Sequence, residues 1–108
     1  MNIWKINKIN NFKIISDTPN FKLFFMKDTN TEFTELTNII DVGDNLYLSP
    51  YSFDLPGDYI IKLIDTNTND VRYNQVNVLS GNDFEFMKTG VRYSTRYDDA
   101  YLVFKEEF

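Results

Sequence analysis

Apolar and polar residues alternate along much of this chain with a period of two, as in a pleated strand whose side chains point to opposite faces in turn. Trp4 and Ile6, then Phe12 and Ile14, occupy even positions, while Lys5, Asn7, Asn11 and Lys13 occupy odd ones. Two strands buried on one face are predicted. Asp17-Thr18-Pro19-Asn20 has turn chemistry. Phe21, Leu23 and Phe25 then alternate with Lys22, yet Phe24 and Met26 are apolar on the opposite face. Residues 55–79 have the same two-sided character. Tyr59, Ile61 and Leu63 share one face, Ile60 and Ile64 the other, and Thr66-Asn67-Thr68-Asn69 leads by a turn into a returning strand over residues 71–79. This pattern predicts a β-hairpin covered on both sides, with the 21–26 strand as its partner in the interior. The apolar parity of the returning strand changes between Tyr73 and Val76, which predicts a bulge near Asn74-Gln75.

Residues 33–55 are open to two readings. Phe33, Leu36, Ile39, Ile40 and Val42 have near-helical spacing, whereas Thr34, Thr37 and the flanking turn residues also fit a strand. Leu46 and Leu48 alternate around Tyr47 as a short strand before Pro50. After Ser80-Gly81 another hairpin is predicted from Phe84 and Phe86, a Thr89-Gly90 turn, then Val91 and Tyr93. Tyr101, Leu102, Val103, Phe104 and Phe108 make an apolar tail that has to pack on the domain or against a partner. The division expected is a sandwich over residues 1–80 and a C-terminal aromatic hairpin or arm over 81–108, the arm being the interaction segment.

The stretch Leu55, Gly57 and Tyr59 resembles the corner that leads into the penultimate strand of immunoglobulin-like sandwich domains, with one residue fewer between Leu and Gly. The run from Asp65 to Asp70 matches the turn that follows. The resemblance covers about a quarter of the chain. It implies an all-β, antiparallel immunoglobulin-like β-sandwich in which Tyr59 closes the corner by bonding to upstream backbone. It implies no activity, because that fold serves many unrelated functions.

Composition narrows the chemistry more than the architecture. With 108 residues the chain is of single-domain size, and its 10 Phe and 7 Tyr supply the bulk of a core. Ala100 is the single alanine, which disfavours long surface helices. Without Cys there are no disulfides, thiolate nucleophiles or usual structural zinc sites. Without His the Ser-His-Asp and Cys-His arrangements are excluded, together with the commonest general base. The net charge of −5 argues against a nucleic-acid partner. That charge is uneven: residues 1–27 hold five lysines against Asp17, a local +4, and residues 28–108 hold six basic and fifteen acidic side chains, a local −9. The lysines at 5, 8, 13 and 22 read as the solvent side of strands, and a basic head on an acidic body could also dock onto an acidic neighbour or another copy. No apolar leader follows Met1, and no stretch approaches the ~20 apolar residues of a membrane span.

Three kinds of residue group are candidate sites. Asp28-Thr29-Asn30-Thr31-Glu32 and Asp65-Thr66-Asn67-Thr68-Asn69 resemble the start of a calcium loop. Such a loop needs Gly at position six and Glu at twelve; the first has Phe33 and Ile39 there, the second Asp70 and Val76. Hairpin turns are the better reading. Asp98-Asp99 and Glu106-Glu107 are adjacent carboxylates that a strand would point to opposite faces, so neither is an acid/base dyad. Tyr93, Tyr97 and Tyr101 with Arg92 and Arg96 fit an interface core, or less well a stacking platform. The expectation is therefore no catalytic, cofactor-binding or metal residues and no enzyme activity.

Abundant Asn, Ile, Lys, Phe and Tyr with almost no Ala is what an AT-rich genome encodes. A small immunoglobulin-like chain of this composition resembles virion proteins of tailed bacteriophages, in particular capsid auxiliary or decoration proteins, and the crAss-like phages have such composition. The resemblance implies a structural protein assembled in the host cytoplasm into the virion. Its partners would be other virion proteins, the major capsid protein first among them, and copies of itself, with no nucleic acid or membrane. A carbohydrate- or receptor-binding module, using Trp4 or the Tyr93–Tyr101 group as an aromatic platform, is the alternative.

Overall fold

The computed structural model describes residues 2–82, 96–97 and 100–103, the last two groups through the backbone alone. The described residues form β1 (Asn2–Lys5), β2 (Asn10–Ile15), β3 (Phe21–Lys27), β4 (Thr34–Leu36), β5 (Ile40–Gly43), β6 (Leu46–Tyr51), β7 (Gly57–Asp65), β8 (Val71–Leu79), β9 (Arg96–Tyr97) and β10 (Ala100–Val103). One sheet has the order β4-β3-β7-β8-β1-β9 and the other β10-β2-β6-β5. The two share one core, so the described residues form an all-β sandwich.

The period-two alternation places that core. Trp4, Phe12, Ile14, Leu23, Ile61 and Leu63 are fully buried, Phe21 nearly so, and Phe25 packs against them from the edge. β3 and β7 pair antiparallel from Phe21↔Asp65 to Lys27↔Tyr59, as the matching patterns of the two strands anticipate. One loop residue completes the interior. Phe53, between β6 and β7, has ring centroids at 5.5 Å from Trp4, 6.4 Å from Phe12, 5.4 Å from Phe25, 4.8 Å from Tyr51 and 4.2 Å from Tyr59.

Four points of the expected fold are corrected or decided. The β7–β8 register runs without a break from Gly57↔Val78 to Ile64↔Val71, so there is no bulge at Asn74-Gln75. The parity change has another cause: Arg72 and Asn74 stand on the core side of β8 with Val76 and Val78, yet Arg72 remains exposed and Asn74 half-buried. β8 runs beyond its cover there, and polar residues follow. Second, β3 and β7 are not covered on both sides by described residues. Phe24, Met26, Ile60 and Ile64 are half-buried on the outer face of the six-stranded sheet. Third, of the two readings left open for residues 33–55, the strand reading holds, as β4, β5 and β6. Asp44 and Asn45, both with positive φ, close a two-residue hairpin between β5 and β6, and the register shift at Asp41/Gly43 absorbs the irregular spacing. Of the residues with near-helical spacing, Leu36 alone is buried.

The fourth correction is to strand direction. The sandwich is not wholly antiparallel, because β1 runs parallel to β8 and β9, and β10 parallel to β2. The 96–97 and 100–103 segments of the aromatic arm thus lie along the first strands of both sheets. The hairpin predicted from Phe84, Phe86, Val91 and Tyr93, and the end of the tail at Phe104 and Phe108, fall outside the described residues.

Two substitutions separate packing from polarity in this core. Phe53→Ala removes the ring common to five aromatic contacts and is expected to cost about 3–5 kcal/mol in denaturant unfolding. Ser49 is buried opposite Phe12, and its Oγ has no hydrogen-bond partner. Ser49→Ala is expected to leave stability unchanged or raise it by about 1 kcal/mol, since it removes an unsatisfied polar atom at little cost in volume.

Candidate functional site

The best-defined local geometry is the corner before β7. Gly57 has φ of 141°, a conformation that side-chain-bearing residues rarely adopt, and a Cβ there would meet Lys27 Cε at 2.7 Å. The lysine tip could swing away; the backbone angle is what requires glycine. Two residues on, the Tyr59 hydroxyl donates to the Leu55 carbonyl at 2.8 Å, the bond that the sequence resemblance implied. Burial pushes the Tyr51 and Tyr59 phenols above their ordinary value of 10.0, and the Asp54 carboxylate adds to the effect on both. This corner is built to hold the chain in place.

Of the two turns that resemble calcium loops, the one at Asp65 is occupied by its own backbone. The Asp65 carboxylate accepts from the amides of Asn67 at 2.8 Å and Thr68 at 3.2 Å, and Asn69, with φ of 60°, donates to the Asp65 carbonyl. The Asp28 loop joins β3 to β4 and bounds an open polar depression lined by Thr29, Asn30, Thr31, Glu32 and Thr34. Among the described residues no three His, Cys, Asp or Glu side chains gather as metal ligands.

The chemistry that remains lies on the two outer faces. On the six-stranded sheet, register aligns Glu35, Phe24, Lys62 and Tyr73 in one row across β4, β3, β7 and β8. The Lys62 ammonium sits 5.3 Å from the Phe24 ring centroid and 5.1 Å from that of Phe33, a cation held between two aromatic faces. Tyr73 is 65% exposed at the end of the row, with Met26 and Ile60 in the next row. On the four-stranded sheet, Ile40 pairs with Leu48 and Ile15 with Leu46, all facing away from the core. Ile15 and Ile40 are 41% and 45% exposed.

Trp4, proposed from sequence as a sugar platform, is fully buried against Phe12 at 4.7 Å and cannot stack on a ligand. Its even parity with Phe12 already marked it as core. The side chains of Arg92, Tyr93, Arg96, Tyr97 and Tyr101 and the pairs Asp98-Asp99 and Glu106-Glu107 lie outside the described residues. The Phe33–Lys62 contact escaped sequence reasoning because it joins a loop to a strand 29 positions away. Its visible sign was the apolar second face of residues 21–26.

No protein-family model matches the chain, and no curated protein matches it either.

Tyr59→Phe is expected to cost about 1 kcal/mol at neutral pH through loss of the corner bond. A phenol raised by folding contributes stability that is complete below pH 10.0 and is lost as pH rises through the folded value. Alkaline unfolding monitored above pH 10.0 should therefore be less steep in Tyr59→Phe and Tyr51→Phe than in the parent. Calcium below about 1 mM is expected to leave the melting temperature unmoved; a rise would reveal binding by linkage.

Proposed function

We propose that this chain is a non-enzymatic adhesion module of immunoglobulin-like topology, an auxiliary or decoration protein that binds the capsid surface of a tailed bacteriophage and reinforces the shell. The topology is supported by strand order. β4-β3-β7-β8 follows the arrangement of the C′, C, F and G strands, and β2-β6-β5 that of B, E and D. The Tyr59–Leu55 bond stands where a tyrosine corner would. The capsid as partner comes from the resemblance in size and composition.

The observation that carries adhesion is the outer face of the four-stranded sheet. A sandwich needs apolar residues on its inner faces only, and solvent-facing strand positions are ordinarily polar. Here Ile15, Ile40, Leu46 and Leu48 occupy that face together, and Val42 is exposed at its edge. A cluster of this kind is a liability in an isolated domain and an asset to one that sits on a surface. Adhesion then comes from shape and apolar burial, with no chemistry to perform. The carbohydrate-binding alternative is weaker, since Trp4, one of its two aromatic platforms, is buried.

Mass spectrometry of purified virions of the phage that encodes the chain is expected to find it in many copies per particle. The purified protein should also cosediment with those capsids, and Ile15→Asp with Leu48→Asp should weaken cosedimentation by at least about tenfold. Absence from virions would overturn the capsid reading. Undiminished binding by a folded double variant would move the contact elsewhere, and glycan-array binding in place of cosedimentation would favour the alternative.

A further inference from the structure

We infer that the outer face of the six-stranded sheet is a homodimer surface, on which a second copy packs about a two-fold axis running along the strands between β3 and β7. This does not depend on what the four-stranded sheet binds. The argument is one of register. Across β4, β3, β7 and β8 the central row reads Glu35, Phe24, Lys62, Tyr73. A two-fold parallel to the strands reverses the row on the facing copy, so Phe24 lies over the other Lys62, and Glu35 arrives over Tyr73, about one strand spacing (~5 Å) from Lys62.

Each superposition is favourable. An aromatic face meets an ammonium, and a carboxylate meets a phenol hydroxyl with a cation beside it. The next row places Met26 over Ile60. A two-fold perpendicular to the strands would instead stack Lys62 directly on Lys62 and Glu35 on Glu35. With the axis along the strands, the two Lys62 are offset by one strand spacing and each has a Glu35 of the other copy equally near, so the charges favour this orientation. Neither Glu35 nor Lys62 forms an ion pair among the described residues, and both are thus available across the interface. Lys62 is half-buried, and the two Phe rings restrict its ammonium before the partner arrives. That preorganisation reduces the entropy lost on association. A face four strands wide is smaller than the ~800 Å² per partner of a standard interface, so the pair is weak, with a Kd on the order of 0.1 mM.

Sedimentation equilibrium of the full chain, from about 0.01 to 1 mM, tests this. The parent is expected to show a monomer–dimer equilibrium. Lys62→Glu and Glu35→Lys should each lower association at least about tenfold, by facing like charges across the axis. The double exchange should restore it. An equimolar mixture of the two single variants should also associate, because in a mixed pair both crossed contacts are attractive. Circular dichroism and melting temperature establish that each variant is folded. A parent that stays monomeric at about 1 mM overturns the proposal, as does a mixture no more associated than its components. Dimerisation untouched by either charge reversal would place the interface on another face and also overturn it.

Discussion

The interior of this sandwich depends on a residue that belongs to neither sheet. The Phe53 ring touches Trp4 from β1, Phe12 from β2, Phe25 from β3, Tyr51 from β6 and Tyr59 from β7. Aromatic contacts of this kind contribute about 0.5–1.5 kcal/mol each beyond area burial, so a large share of the packing passes through one side chain. Its backbone acts too: the Phe53 carbonyl accepts from Asn7, whose φ of 61° turns the chain from β1 toward β2. The Tyr59 hydroxyl ties the other end of the same loop to Leu55. A loop with a single ring in the core is thereby held at both ends, and the two sheets are held to each other.

How far the sequence revealed this follows from which features are local. Alternation in residues 12–14, 21–26 and 59–64 marked Phe12, Ile14, Leu23, Ile61 and Leu63 as buried, because burial on one face leaves a period of two; Trp4 shared that parity but also read as a candidate platform. Phe53 was not legible as core: Tyr51, Phe53 and Leu55 do alternate, but the run is short and enclosed by Pro50 and Pro56 with Ser52 and Asp54 inside it, so it reads as a loop. The second apolar face of β3 and β7 was visible, but its meaning was not. A residue under a third layer and a residue on an apolar outer face write the same letter. The Phe24–Lys62–Phe33 arrangement distinguishes them, and it exists only once β3, β7 and the Phe33 loop are side by side. The β5–β6 hairpin had a local sign in Gly43-Asp44-Asn45, outweighed by the near-helical spacing before it.

Pairing of the chain ends was the least legible feature, being the most remote in sequence. β1 and β9 run parallel in one sheet, β2 and β10 parallel in the other, so the C-terminal pair of strands accompanies the N-terminal pair across the sandwich. Parallel pairing needs no turn between partners and leaves no turn signal. Its consequence is that β1 and β2 are not open edges. The edges remote from the chain ends are β4, of three residues, and β5, of four. β5 is irregular at Asp41/Gly43, and the Asp41 carboxylate accepts from the Gly43 amide at 2.9 Å.

Short, kinked and acidic edges are poor templates for adding a strand. Among the described residues, apolar side chains also gather on the two faces, Ile15, Ile40, Leu46 and Leu48 on one side and Phe24, Met26, Ile60 and Tyr73 on the other. The two faces differ in kind. The first is aliphatic and suits a contact that needs only burial. The second combines aromatic rings with Lys62 and Glu35 in fixed register, so it discriminates orientation as well as shape. A module that uses the first for a surface and the second for its neighbour would bridge adjacent sites. Two weak contacts would then hold more firmly together than either alone, because binding at one raises the effective concentration at the other. On that account weakness of each face is an advantage. Neither face alone would drive association in dilute solution, and assembly would begin where a scaffold brings the copies together.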